Sequence, residues 1–125
     1  MYRQLNHTAD VRYEIVCDSE EEVFKELVRI FKDHYSVRLK EQETKLEYDL
    51  SKNLEDAVFD IVNDWIYLIE SRKLFPYDCH IQNDRLVCTF REFEEIEGTE
   101  LKALTYHGLG VERSDKIVLR VVFDT

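Results

Sequence analysis

Tyr77-Asp78-Cys79-His80-Ile81-Gln82-Asn83-Asp84-Arg85-Leu86-Val87-Cys88-Thr89-Phe90 reads as a β-hairpin. Asn83-Asp84 suits a two-residue turn, because both residue types tolerate positive φ. With the turn centred there, Ile81 faces Leu86, Cys79 faces Cys88 and Tyr77 faces Phe90. All six are apolar and share one face, so the register is self-consistent. The same arithmetic puts Cys79 and Cys88 in a non-hydrogen-bonded pair, close enough for a disulfide. A reducing cytosol favours two thiols packed in the core instead.

Downstream of the hairpin, a long strand is expected from about Glu100 to Glu112. A turn at Arg113-Ser114-Asp115 and a final strand from Lys116 to Phe123 follow. Upstream, Asn53 with Asp56 three positions on opens the longest helix. Leu54, Ala57, Val58, Ile61, Val62, Trp65, Leu68 and Ile69 form its apolar face, and it fades at Arg72-Lys73. Leu46, Tyr48 and Leu50 alternate with charged residues as a strand does. Val11-Arg12-Tyr13-Glu14-Ile15 alternates likewise. Between these two strands, Ser19 and Glu22 have capping-box spacing ahead of a helix that presents Val23, Phe24, Leu27, Val28 and Phe31. Strand, helix, strand, helix and a run of antiparallel strands make an α+β chain. We expect a single domain over residues 1–125, one mostly antiparallel sheet with both helices on one face.

The 125 residues suit one core, and 44% hydrophobic with 35% charged residues is ordinary globular composition. No apolar run approaches the roughly 20 residues needed to span a bilayer. The N-terminus has no secretory apolar stretch, so a cytoplasmic location is expected. The net charge is −10. Such a surface repels phosphate backbones, so direct nucleic-acid binding is not expected, and a role near RNA would run through a protein partner. Cys17, Cys79 and Cys88 include no C-x-x-C pair and indicate no zinc site.

Few residues stand out as chemistry. His7-Thr8-Ala9-Asp10 precedes the first clear strand and could be a turn or cap. Phe123-Asp124-Thr125 sets a side-chain carboxylate one residue before an α-carboxylate, and two such anions repel unless a cation joins them. All-oxygen sites suit calcium or another hard divalent cation. A strand pinned in the sheet would hold Asp124 in place, whereas a frayed tail would not. Lys102 and His107 lie in an otherwise apolar strand. Asn63-Asp64 reads as the polar side of the long helix, and Glu92, Glu94, Glu95 and Glu97 as an exposed loop. No nucleophile–base pair, P-loop or G-x-S-x-G occurs, so no catalytic residue is assigned.

Taken together, five blocks resemble the archease family over essentially the whole chain. They are His7-Thr8-Ala9-Asp10-Val11, Ser19-Glu20-Glu21-Glu22-Val23-Phe24, and Asn63-Asp64-Trp65-Ile66-Tyr67-Leu68 with Leu74-Phe75. The most specific is Lys102-Ala103-Leu104-Thr105-Tyr106-His107-Gly108-Leu109, and the strand ending in Asp124 closes the pattern. The resemblance implies an α+β fold also compared with a redox chaperone domain. It implies a calcium-type metal bound by Asp10, Asp124 and Thr125, with Lys102 as a functional residue and His7 beside it as a candidate partner contact. It also implies a non-enzymatic role: activation of a GTP-dependent tRNA-splicing ligase, by promoting its guanylylation and multiple turnover. An alternative family description is a chaperone that modulates a tRNA cytosine methyltransferase, its metal then structural. The chain departs from the family pattern at Asp64, where Glu is usual, at Cys17-Asp18, where a Gly is common, and at Thr125, where Ile, Val or Leu is frequent.

Overall fold

Ser19 and Asn53 start the two helices where the sequence predicts them. The Ser19 side chain accepts from the Glu22 N–H at the head of α1 (Glu20–His34). The Glu22 carboxylate turns back to the Asp18 N–H at 3.3 Å, one residue short of a strict capping box. Asn53 accepts from the Asp56 N–H at 2.9 Å and opens α2 (Leu54–Arg72). That helix ends at Lys73, in the left-handed conformation, whose N–H returns to the Leu68 carbonyl. Every apolar position expected on the two helical faces is buried, together with Ile30 and Ile66.

The computed structural model describes residues 1–5 and 10–125. Its strands are β1 (Tyr2–Leu5), β2 (Val11–Cys17), β3 (Tyr35–Asp49), β4 (Leu74–Gln82), β5 (Arg85–Gly98), β6 (Ala103–Leu104), β7 (Gly110–Arg113) and β8 (Ile117–Asp124). The α+β class is as expected, and every described pairing is antiparallel. The strands divide between two sheets rather than forming one. One sheet runs β1-β2-β8-β6 with β7 also on β8, and the other runs β3-β5-β4. Helix α1 packs against β2 of the first sheet and β4 of the second, and α2 against β4 and β6. Trp65, Phe24, Phe31, Phe75, Phe90 and Phe123 are fully buried where these layers meet. Each such burial contributes on the order of 2–3 kcal/mol before conformational entropy is counted.

The hairpin register holds for Ile81 with Leu86 and Cys79 with Cys88, but not for Tyr77. A bulge between Pro76 and Asp78 sets Pro76 opposite Phe90. Proline has no N–H for the ladder and is tolerated on an edge strand such as β4. The displaced Tyr77 ring is partly exposed and meets Lys32 at 4.5 Å and Arg91 at 5.1 Å.

Three further expectations change. The strand foreseen from Glu100 to Glu112 is broken by a turn at 105–109, where Gly108 has φ +80 and a Cβ would come within 2.6 Å of the Val122 side chain. The acidic stretch at 92–97 belongs to β5 and pairs with β3 instead of forming a loop, because Phe93 is buried and Ile96 partly so. Strand β3 starts at Tyr35, well before Leu46, and its exposed, charge-rich middle has no apolar face to signal it. Gly98 closes the β3–β5 ladder at φ +123, and a Cβ there would come within 2.2 Å of the His34 carbonyl.

Candidate metal site

Strand β8 is the centre of the first sheet near its C-terminal end, with β2 on one side and β6 on the other. Val11 pairs with Phe123. Asp10 directly precedes Val11 and Asp124 directly follows Phe123, so the two lie at the same end of these adjacent strands. On the other side Ala103 pairs with Asp124, and the Lys102 N–H donates to the Asp124 carbonyl at 2.8 Å. Lys102 is the residue just before β6, at the end of that pairing and next to the last residues of β8. The alternation that buries Phe123 leaves Asp124 exposed, while Asp10 is half-buried and Lys102 exposed. The structure therefore gathers Asp10, Lys102, Asp124 and Thr125 at one end of three neighbouring strands. His7, like Asn6, Thr8 and Ala9, lies outside the described residues.

Two-residue β6 is too short to hold itself. The Asn63 carboxamide on α2 donates to the Leu104 carbonyl at 3.0 Å and accepts from the Leu104 N–H at 2.8 Å. On the opposite side, the Thr105 N–H donates to the Val122 carbonyl at 3.0 Å. The following turn is fastened by Tyr106, whose ring stacks on Phe59 at 3.8 Å and whose hydroxyl donates to Asp56 at 3.0 Å. Asn63 thus belongs to the site's scaffold and is more than the polar side of a helix. The signal available in the sequence was an Asn, a weak helix former, in the interior of a long helix. Its neighbour Asp64 accepts from the Tyr48 hydroxyl at 2.6 Å, and burial with that carboxylate pushes the Tyr48 phenol up.

Among the described residues, the candidate donors at the strand ends are oxygens: two carboxylates and the main chain of the last residues. That set suits a hard cation, with water completing the shell. It does not suit zinc or copper, since the three cysteines are buried elsewhere. Among the described residues, no group of three or more His, Cys, Asp or Glu side chains is placed to hold a metal ion. Asp10 and Asp124 would therefore need main-chain oxygens, such as those of Thr125, to bind one. No described helix is long and apolar enough to cross a membrane.

Comparison with known proteins identifies the family. Residues 2–125 match the model of the Archease protein family. The chain is 42% identical to protein archease of Thermotoga maritima over 126 residues, covering all of both chains. It is 27% identical over 136 residues to protein archease of Ictalurus punctatus, covering 98% of this chain and 84% of that protein. The crystal structure of the Thermotoga maritima protein, described as an archease and possible chaperone, superposes with a TM-score of 0.85 and covers 100% of this chain and 98% of that one. The solution structure of Methanobacterium thermoautotrophicum protein 1598 shares the fold, with a TM-score of 0.72 at 19% identity over 99% of this chain and 98% of that one. With its blocks in order over the full length and the fold superposing throughout, the chain belongs to the archease family.

Proposed function

We propose that this chain is a non-enzymatic protein cofactor in the cytoplasm, activating a GTP-dependent tRNA-splicing ligase by promoting its guanylylation and multiple turnover. The observation that carries the reading is the β2–β8 register, which brings Asp10 and Asp124 to the same end of adjacent strands. Asp10, Asp124 and Thr125 would hold calcium or another hard divalent cation. When bound, that ion supplies a compact positive charge that offsets the repulsion of the carboxylates and can polarise an oxygen ligand. The chain's own residues do the positioning. Asn63 fixes β6, β6 fixes the Lys102 backbone against Asp124, and the Lys102 side chain stands exposed at the rim for contact with the ligase. His7, from the block preceding Asp10, is assigned to the same contact. A net charge of −10 supports action through a protein rather than on bare RNA.

The test is guanylylation of the ligase with and without this protein, in calcium or in EDTA. Stimulation should require the protein and the cation and should vanish in Asp124→Ala, whose thermal melting in EDTA stays unchanged. Undiminished stimulation by Asp124→Ala would remove the carboxylate tip from the mechanism. The description of the Thermotoga maritima relative as a possible chaperone favours a second reading, modulation of a tRNA cytosine methyltransferase with a structural metal. Under that reading the protein prevents client aggregation and leaves ligase guanylylation unaffected.

A further inference from the structure

Away from the cation site, the C-terminal half of α2 and the last part of β5 enclose a groove of about 720 Å³. Its helical wall is the stripe Ile66, Ile69, Glu70 and Lys73, spaced three and four residues apart. The floor is apolar, with Ile66, Ile69, Phe93 and Leu101 facing it. The opposite wall is the edge of a sheet. Strand β4 pairs with β5 only as far as Leu74 with Glu92, and the Phe93 N–H then donates to the Lys73 carbonyl at 3.2 Å. At Lys73 the chain leaves α2 and enters the sheet, so β4 begins only at Leu74. Strand β3 covers the other side of β5 up to Gly98. Among the described residues, nothing pairs with residues 94–98 on the groove side, where a longer β4 would have run.

An exposed strand edge beside an apolar floor is a template for an added strand. The charge of the rim says which kind. Glu70, Glu94, Glu95, Glu97 and Glu100 surround the groove, with Lys73 the one cation among the described residues lining it. Lys40 reaches Glu94 at 3.5 Å from outside. Glu70 and Glu100 lie close enough to hydrogen-bond each other, and that contact, with burial, holds the Glu70 carboxyl above its usual range. A cationic side chain between these two carboxyls would relieve their mutual repulsion.

We infer that this groove binds an extended segment of a partner protein, about five residues long, alternating apolar and Lys or Arg side chains, by adding a strand to residues 94–98 of β5. The apolar side chains would enter toward Ile66, Ile69 and Phe93, and the basic ones would reach the glutamate rim. This inference goes beyond the ligase reading and stands without it, because none of its residues belongs to the cation site.

The probe is a fluorescein-labelled, end-capped peptide, Lys-Val-Arg-Ile-Lys-Val, titrated into the full chain and followed by anisotropy. NMR amide shifts map its footprint. Saturable binding is expected, with shifts concentrated at residues 93–98. Peptides with Glu in place of the basic residues, or Ser in place of the apolar ones, should fail to bind. The exposed double variant Glu95→Lys/Glu97→Lys should bind at least about tenfold more weakly with unchanged melting. The inference is overturned if no saturable binding occurs, if the footprint lies elsewhere, or if the charge-reversed chain or the Ser peptide binds equally well. It is equally overturned if a single-stranded RNA oligomer, or a second copy of this chain, proves to occupy the same amides in preference to the peptide.

Discussion

Asn63 and Leu104 are joined by two hydrogen bonds, so that one helix side chain serves β6 as a neighbouring strand would. Removing the carboxamide leaves a partly buried N–H and C=O without partners. Asn63→Ala should therefore cost about 2 kcal/mol in urea unfolding. It should also loosen Lys102, whose N–H bond to the Asp124 carbonyl continues the β6–β8 pairing. If the variant keeps full stability and full protection of the Leu104 amide against hydrogen exchange, the clamp does not hold β6.

Asp10 and Asp124 are predicted to act as one cation site. Calcium at about a hundred times its Kd should stabilise the fold by about 2.7 kcal/mol, and EDTA should remove that gain. Asp10→Asn and Asp124→Asn should each abolish most of it, and the double variant should lose little more, since the two carboxylates act together. Calorimetric titration decides it. Undiminished calcium affinity in the double variant would place the ion elsewhere.

The pH dependence has a defined sign at His34. Burial lowers its pKa, while Asp33 and a backbone contact with Thr99 oppose the shift, and the ring meets the Tyr13 hydroxyl. The unfolded state therefore binds a proton more readily than the folded one. Stability from this group is complete above about pH 6.5 and falls as pH drops through that value toward the folded pKa. His34→Gln should flatten that part of the urea-midpoint profile. An unchanged slope between the two proteins would show that the ring does not carry the effect.

Cys79 and Cys88 lie opposite each other in the core with their sulfurs 2.7 Å apart, and all three cysteines are buried free thiols. Burial, reinforced by the contact with Cys79, pushes the Cys88 thiol up, which suppresses its thiolate. The native chain should therefore leave all three thiols unreactive toward an aromatic disulfide reagent, and unfolding should release them together. Native mass spectrometry showing a Cys79–Cys88 cross-link in a reducing buffer would contradict this.

The fold was legible wherever burial is one-sided. Ser19 and Asn53 mark their helices, and the pattern around Asn83-Asp84 sets the hairpin register up to Pro76. It failed where a strand carries no apolar face, as in β3 from Lys40 to Lys45, and where one glycine interrupts an apolar run, as at Gly108. The site was half legible. The hard-oxygen chemistry of Asp10 and Asp124 is visible in the sequence. Their placement at one end of adjacent strands depends on a strand pairing 112 positions apart, and the support from Asn63 depends on a helix packing against a two-residue strand; neither leaves a local pattern.

The pairing of Val11 with Phe123 also has a kinetic consequence. Closing that contact requires nearly the whole chain to be gathered first, whereas the β4–β5 hairpin closes over two residues. Loop-closure entropy therefore orders assembly, with the hairpin early and the β2–β8 ladder late. Pulse-labelled hydrogen exchange should protect Cys79 and Cys88 amides before those of Tyr13 and Val121. Simultaneous protection would exclude this order. A tip built on the slowest contact exists only on molecules that have finished folding, so it doubles as a certificate of maturity that an incomplete chain is unable to present.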